Sequence, residues 1–446
     1  RKGHRGREAV RRSMIARATL AATLVASAFA AERPNIIIVL ADDFGYGDIA
    51  ANAETPITTP NLDRMAAEGA RLTSFYSSAN VCTPSRAGLL TGRYPARAGL
   101  AKGVVFPNNS GGLAPEEVTL AEVLSGAGYA TAMVGKWHLG NRPPFWPTSA
   151  GFGSFFGTPY SNDMTPFPLY RDETMLEPET DQHTITERYV AETVHLIETL
   201  KDGPFFIYLA HNMPHVPLFV SDRFKGKSAA GLYGDVIETI DWGMGEILAA
   251  LDKNGIDENT LVLFTSDNGP WFEGSSGEYR DRKGSSWEGG QRVPLIARWP
   301  KGIPKGTVSD AISMNIDLLP TLAGLAGAAL PADRVIDGRD ILPLLRGEAK
   351  SPHESLYLFN EEQIAAVRTP DWKLVIQSYY KQYNVDFIKA ARNYEHGLLF
   401  DMRNDPQERY SLTRDHEDVV STLGRLYTRG VDELVNSFVD RRDQPK

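Results

Sequence analysis

Chemistry in this chain gathers in short polar segments: Asp42-Asp43, Cys82-Thr83-Pro84-Ser85-Arg86, Lys136-Trp137-His138, His211 with His215, and Asp267-Asn268. Asp42, Asp43, Asp267 and Asn268 offer only hard oxygen donors, a set that suits Ca2+ or Mg2+ and disfavours zinc. Cys82 is the only cysteine among 446 residues, so no intramolecular disulfide is possible and the thiol needs another explanation. An isolated cysteine is ordinarily a small buried hydrophobe. Here the neighbours argue for chemistry instead. Thr83 reads as a cap and Pro84 as a first helical residue, which puts residue 82 at a helix N-terminus. Unpaired N–H groups and the helix dipole favour an anionic nucleophile and an anionic substrate there, and Arg86, one turn on, adds a fixed positive charge.

Four short apolar runs must position these groups, each ending in unusual polar residues. IIIVL (Ile36 to Leu40) runs into Asp42-Asp43, and TAMV (Thr131 to Val134) into Lys136 and His138. FFIYLA (Phe205 to Ala210) runs into His211 and His215, and LVLFT (Leu261 to Thr265) into Asp267-Asn268. Continuous apolar runs alternating with amphipathic stretches predict an α/β architecture with a mostly parallel sheet covered on both faces. Ligands of such sheets bind beyond the carboxyl ends of the strands, so the four ends are expected to converge on one site. For any one end an ordinary polar turn is an adequate explanation, but four together are not. After about Leu345 the texture shifts to short β-like segments (SLYLF, AAVRT, WKLVIQSYY), a turn at Asn404-Asp405-Pro406 and a helical stretch from about Glu417 to Val435. The expected division is a catalytic domain over 31–345 and a smaller α+β unit over 346–446. Gly- and Ser-rich loops near Gly274 to Gly290 are expected to shape the pocket.

Residues 1–30 read as a signal peptide with upstream residues, because a basic stretch precedes the apolar run ATLAATLVASAFA. That run is too short to span a bilayer, which takes roughly 20 apolar residues. An exported product, periplasmic or secreted and without a membrane span, is expected. Residues 1–30 hold 7 of the 47 basic and 1 of the 56 acidic residues, leaving 40 and 55 in residues 31–446 and a formal charge of −15. Such a balance argues against nucleic acid as a partner.

The segment CTPSRAGLLTGR (Cys82 to Arg93) resembles the maturation signature of formylglycine-dependent (type I) sulfatases. The resemblance runs from about Pro34 to LFDMRNDPQE near Leu399, and is closest to the branch of arylsulfatase A and N-acetylgalactosamine-6-sulfatase. It implies an alkaline phosphatase-like fold, with a large sheet flanked by helices and a smaller C-terminal unit containing a short antiparallel sheet. It implies that a maturing enzyme converts Cys82 to formylglycine. Asp42, Asp43, Asp267 and Asn268, with an oxygen of residue 82, would form the metal site, usually occupied by Ca2+. By the same carry-over Lys136 binds sulfate, His138 contacts the hydrated aldehyde and His215 protonates the leaving alcohol. Lys283 bridges sulfate and the leaving oxygen, and Ser161, in GTPYSND, contacts sulfate. His211 reads as a structural neighbour. The implied reaction is attack on sulfur by a hydroxyl of the hydrated aldehyde, with Asp267 assisting deprotonation, Arg86 and the metal stabilising the hydrate, and aldehyde regenerated as sulfate leaves.

Two other readings stay open on the sequence: a phosphomonoester or phosphonate monoester hydrolase of the same superfamily, and a non-catalytic binder of sulfated glycan. Two pocket lysines and one metal suit a monoanionic sulfate ester. The ester itself, an aryl sulfate or a carbohydrate sulfate, depends on loops such as Asn141 to Thr158, Phe167 to His183 and Trp271 to Arg282. The aromatics there, Phe145, Trp146 and Trp271, read first as packing residues.

Overall fold

A computed structural model describes residues 33–378 and 392–443; residues 1–30, read from the sequence as a signal peptide, lie outside the described residues. Twelve strands precede the C-terminal unit: β1 (Asn35–Ala41), β2 (Ala70–Leu72), β3 (Phe75–Tyr76), β4 (Ala130–Lys136), β5 (Ser154–Thr158), β6 (Leu169–Arg171), β7 (Thr174–Glu177), β8 (Phe205–Ala210), β9 (Thr260–Ser266), β10 (Leu295–Arg298), β11 (Thr307–Ser309) and β12 (Ser313–Met314). The main helices among them are α1 (Pro60–Glu68), α2 (Cys82–Thr91), α3 (Leu120–Gly126), α4 (Ile185–Leu200), α5 (Gly231–Lys253), α6 (Glu288–Gln291) and α7 (Leu318–Ala326).

Ten of these strands form one sheet in the order β11-β2-β10-β9-β1-β8-β4-β5-β6-β7. The four apolar runs read from the sequence are β1, β4, β8 and β9. They lie side by side and parallel at its centre, as β9-β1-β8-β4. Antiparallel pairings occur only outside them, between β9 and β10, β10 and β2, and from β5 through β7. Both faces of the centre are covered, which is why these strands are apolar throughout. Ile36, Ile38 and Leu40 pack with Tyr208 and Leu263 against Leu89 and Leu90 of α2, Leu124 of α3 and Leu322 of α7. Ile37, Val39, Ile207 and Phe264 face the other way, against Leu62 of α1, Tyr189 of α4 and Ile240 of α5. Each such side chain contributes about 1.5–3 kcal/mol by leaving water, so the central register is strongly held. Gly135, at φ 104°, passes so close to the Ala210 carbonyl that any Cβ would collide with it, and this close approach brings Lys136 against the end of β8.

Beyond Leu345 the chain forms a four-stranded antiparallel sheet, β13 (Leu356–Asn360), β14 (Gln363–Arg368), β15 (Trp372–Ser378) and β16 (Arg392–Asp401), with α8 (Glu417–Gly430) packed on it. β16 has no counterpart in the sequence reading, and the predicted helix ends in a wider turn over Val431–Val435. Leu358, Val367, Val375 and Phe400 of this sheet share a core with Tyr76, Tyr94, Trp287 and Met314. The C-terminal sheet is thus packed on the loops that surround α2 and α6.

Candidate active site

Each central strand delivers its polar residues at its carboxyl end. The ends of β1 and β9 are laced together: Asp43 N–H donates to Asp267 Oδ1 at 3.2 Å, Phe44 N–H to Ser266 Oγ at 2.9 Å, and Ser266 Oγ to the Asn268 carbonyl at 2.8 Å. Asp43 and His138 adopt left-handed backbone conformations, φ 65° and 61°, in which Asp and His are among the more tolerant residues. Strain of this kind gathers where tight turns aim side chains at a common point.

The start of α2 differs from expectation. Val81 is the extended residue before the helix and Cys82 is its first helical residue. Thr83 does not cap it. Its hydroxyl donates to the His138 carbonyl at 2.7 Å and accepts from Val105 N–H at 3.1 Å, because it already lies inside the helix and faces the end of β4. Cys82 still stands at the helix N-terminus, as anticipated.

Around Cys82, buried carboxylates and cations alternate. Its Sγ lies 3.3 Å from Asp42 Oδ1 and 3.6 Å from Lys283 Nζ. Lys136 Nζ donates to Asp42 Oδ2 and, at 3.2 Å, meets Ser161 Oγ. Arg86 pairs with Asp267 Oδ2 through Nε at 3.0 Å and through a terminal nitrogen at 2.9 Å, and its other terminal nitrogen donates to the Lys136 carbonyl. Lys283 Nζ sits 2.7 and 2.8 Å from the two oxygens of Asp43. One ligand atom each from Asp42, Asp43, Cys82 and Asp267 lies within 4.8 Å of the others. Asn268 Nδ2 donates to Asp43 Oδ1 at 2.7 Å, but Asn268 Oδ1 is buried with no hydrogen-bond partner among the described residues. Convergent carboxylate oxygens with an uncommitted amide oxygen are what a hard cation needs, so these residues fit the expected metal.

Electrostatics follow from burial and neighbours. Burial pushes the Asp42 carboxyl up, yet Lys136, with His215, Arg86 and Lys283, overcomes this and holds it well below the ordinary carboxylate range. Asp267 goes the other way: burial, reinforced by Asp42, raises it to about 7. Burial and then Asp42 push the Cys82 thiol well up, so at neutral pH it is a protonated thiol and a poor nucleophile. Burial lowers His138, with Lys136 and Arg86 adding to it, and both its ring nitrogens lack hydrogen-bond partners among the described residues. His215 is lowered by burial and then Lys283. Its Nδ1 lies 2.6 Å from the Val216 carbonyl, which can only accept, so Nδ1 carries the hydrogen. Nε2, 3.8 Å from Asp43 Oδ2, faces the cluster.

The structure thus brings Asp42, Asp43, Cys82, Arg86, Lys136, Ser161, His215, Asp267, Asn268 and Lys283 into one contact network, with His138 buried beside it. His211 is buried, with burial lowering it to about 4, and donates its N–H to the Leu40 carbonyl at the strand ends. Sequence reading missed Thr83 and Ser266 as braces of the site; only the adjacency of Ser266 to Asp267 signals it. Phe145 and Trp146 are buried, the latter edge-on to Phe155 and Tyr170, so both serve packing as expected. The Trp271 ring centroid is 6.0 Å from Lys283 Nζ, beside the site.

Comparison with known proteins agrees with this geometry. The family described as sulfatase matches over residues 34–328, and the C-terminal region of N-sulphoglucosamine sulphohydrolase over residues 277–428. Human arylsulfatase A is 39% identical across 88% of this chain and 86% of its own length. Mouse N-acetylgalactosamine-6-sulfatase is 37% identical across 95% of this chain and 90% of its own. A solved sulfatase from Pseudoalteromonas sp. superposes with a TM-score of 0.82 at 28% identity, covering 92% of this chain and 93% of that one. Fold, polar strand ends and kinship therefore agree that this chain belongs to the sulfatase family, an alkaline phosphatase-like group of enzymes that hydrolyse sulfate esters.

Proposed function

We propose that this sulfatase works with residue 82 as formylglycine and with a divalent metal, Ca2+ or else Mg2+, held by Asp42, Asp43, Asp267, Asn268 and an oxygen of residue 82. The observation that carries this reading is the burial of three carboxylates around a thiol that is itself held protonated, with Asn268 Oδ1 uncommitted. A bound metal would supply positive charge against the sulfuryl oxygens and the hydrated aldehyde. As the hydrate of formylglycine, residue 82 offers a hydroxyl where the thiol would be unreactive. Asp267, with an oxygen within 4.8 Å of the residue 82 side chain, takes a proton from it, and Arg86 fixes Asp267 in place. Lys136 and Lys283 face the same space and offset the charge of a bound sulfate, with Ser161 orienting Lys136. His215 is neutral at rest. An anionic ester arriving beside Nε2 offsets the Lys283 charge and favours protonation there, which equips His215 to give its proton to the leaving alcohol. His138, with both ring nitrogens free of partners among the described residues, serves the second half of the cycle, when the hydrate collapses to aldehyde.

The substrate class proposed is a sulfate monoester of an aryl alcohol or a carbohydrate, as the names of the relatives suggest. Residues 31–345 form the catalytic domain and residues 346–446 the smaller unit. Export to the periplasm or outside the cell fits the leader-like segment 1–30, and no helix among the described residues is long and apolar enough to cross a membrane. A formylglycine-generating or other sulfatase-maturing enzyme is the implied partner. Mass spectrometry of the peptide spanning residue 82, from chain co-expressed with such an enzyme, tests the reading together with turnover of aryl sulfates and a panel of sulfated sugars. Active protein carrying an unmodified thiol would overturn it.

A further inference from the structure

A second buried ion cluster lies outside the site, where the C-terminal sheet meets the loop that carries Lys283. Lys373 of β15 places Nζ 3.1 Å from Glu288 Oε1 and 2.7 Å from Glu408 Oε1, and Glu408 Oε2 accepts from the Glu288 backbone N–H at 2.7 Å. The other oxygen of Glu288 accepts from Tyr76 at 2.6 Å and Arg292 at 3.2 Å, and Arg368 donates to the Tyr76 hydroxyl. Glu288, Lys373 and Glu408 are all fully buried. Glu408 ends the LFDMRNDPQE segment, which carries none of the catalytic residues.

Glu288 is the first residue of α6, and α6 is wedged between two parts of the site. On one side Gly269, which follows Asn268, donates its N–H to the Gly290 carbonyl at 3.0 Å, and a Cβ on Gly269 would strike the Gly289 carbonyl. On the other side lies the Lys283 loop. Gly289 N–H donates to Arg280 O at 2.8 Å, and Gly290 is pressed against the carbonyls of Arg282 and Ser285 with no room for a side chain. Lys283 N–H in turn donates to Pro270 O at 3.0 Å, closing the loop onto the end of β9. Arg280 ties the Lys283 loop to the second cluster: it lies 3.7 Å over the Trp287 ring and donates to the Glu408 carbonyl at 3.0 Å. With backbone packed this tightly, α6 cannot move without carrying Asn268 or Lys283 along.

We propose that Glu288, Lys373 and Glu408 are positioning residues: the C-terminal unit fixes α6 through this ion cluster and thereby fixes Lys283 Nζ relative to residue 82. The inference rests on the role proposed above for Lys283. Buried ion clusters contribute little net stability over apolar packing, but they are directional, which is the property a positioning device requires. A misplacement of about 1 Å at a catalytic group can cost on the order of 100-fold in rate, so a small shift of α6 is enough to be read in kcat.

The test is a double-mutant cycle between Glu408→Gln and Lys283→Met, assayed on the matured full-length enzyme with nitrophenyl sulfate. Glu408→Gln keeps the side-chain shape but sets an amide N–H against either Lys373 or the Glu288 N–H. The expected result is a fall in kcat on the order of 10-fold with KM nearly unchanged, and no further fall when the same change is made in the Lys283→Met background. An equal fall in both backgrounds would mean that Glu408 acts only on stability and overturns the proposal. A Lys283→Met enzyme that retains full kcat would overturn the role of Lys283 itself, a separate and recognisable outcome. Arg280→Met, which leaves the ion cluster whole and removes only its link to Trp287 and the Glu408 carbonyl, gives a second cycle with the same expected pattern should Glu408→Gln fold poorly.

Discussion

Two buried ion clusters flank the segment 267–292, and they are built on opposite plans. Around Cys82, three carboxylates converge until one oxygen of each and the sulfur lie within 4.8 Å of one another, and an amide oxygen is left without a partner among the described residues. Around Lys373, the two glutamates are separated by the ammonium that pairs with both, and each carboxylate also receives backbone or side-chain donors. Each carboxylate around Cys82 has its own cation, Lys136 for Asp42, Arg86 for Asp267 and Lys283 for Asp43, yet the oxygens still converge and Asn268 Oδ1 stays uncommitted, which suits the further cation proposed for the site. Like charges held apart by a cation are already complete and serve as frame. The arrangement of the charges, rather than their number or burial, separates a site from a brace.

The largest expected effect falls on the first cluster alone. Unconverted Cys82→Ser should lose about 10⁴-fold or more in kcat while its denaturation midpoint stays close to that of the unconverted parent, since the hydroxyl replaces a thiol of similar size. Urea denaturation alongside the assay would expose any structural cause. The next falls on the second cluster: Lys373→Met leaves two facing buried carboxylates and should lower stability by about 3–5 kcal/mol, measured by the same denaturation. Ca2+ sharpens the contrast. After chelation, restoring Ca2+ at roughly a hundredfold excess over its Kd should add about 3 kcal/mol of stability to the parent. Asp43→Asn should abolish that increment, whereas Lys373→Met should retain it from a lower starting point. An increment that survives Asp43→Asn would remove Asp43 from the metal site.

The smallest effect concerns His211, which borders the first cluster without joining it. Burial depresses its folded value to about 4 from an ordinary 6.5, so its contribution to stability is complete above pH 6.5 and is lost as pH falls toward 4. That amounts to roughly 2 kcal/mol between pH 6.5 and 5, and a His211→Gln variant should show a correspondingly flatter stability profile over that range.

The first cluster was legible in the sequence because its parts sit at the ends of apolar runs, a local pattern that states both the strand and the direction of its carboxyl end. Asp42-Asp43 after IIIVL and Asp267-Asn268 after LVLFT need no knowledge of the fold to be suspected together. Lys283 and Ser161 lie on loops without such a marker and came only from the family resemblance. The second cluster had no local signal. Lys373 looks like the polar member of an alternating strand, and Glu288 is joined to it across 85 residues and to Glu408 across 120. β16 was missed for a related reason, since its pairing with β15 is made by the C-terminal sheet as a whole. The misread cap at Thr83 shows the limit of propensity: a neighbouring strand end competed for the hydroxyl and won.

Cys82 is 1% exposed, with α2 behind it and Asp42 and Lys283 in front. A thiol enclosed in this way offers no approach to another enzyme, so the conversion proposed for it belongs to a period before the four strand ends have closed. Chronology then becomes part of the design. A chain that folds before the proposed conversion keeps a buried, protonated thiol, and alkylating reagents added to it in the native state should label residue 82 far more slowly than in the unfolded chain.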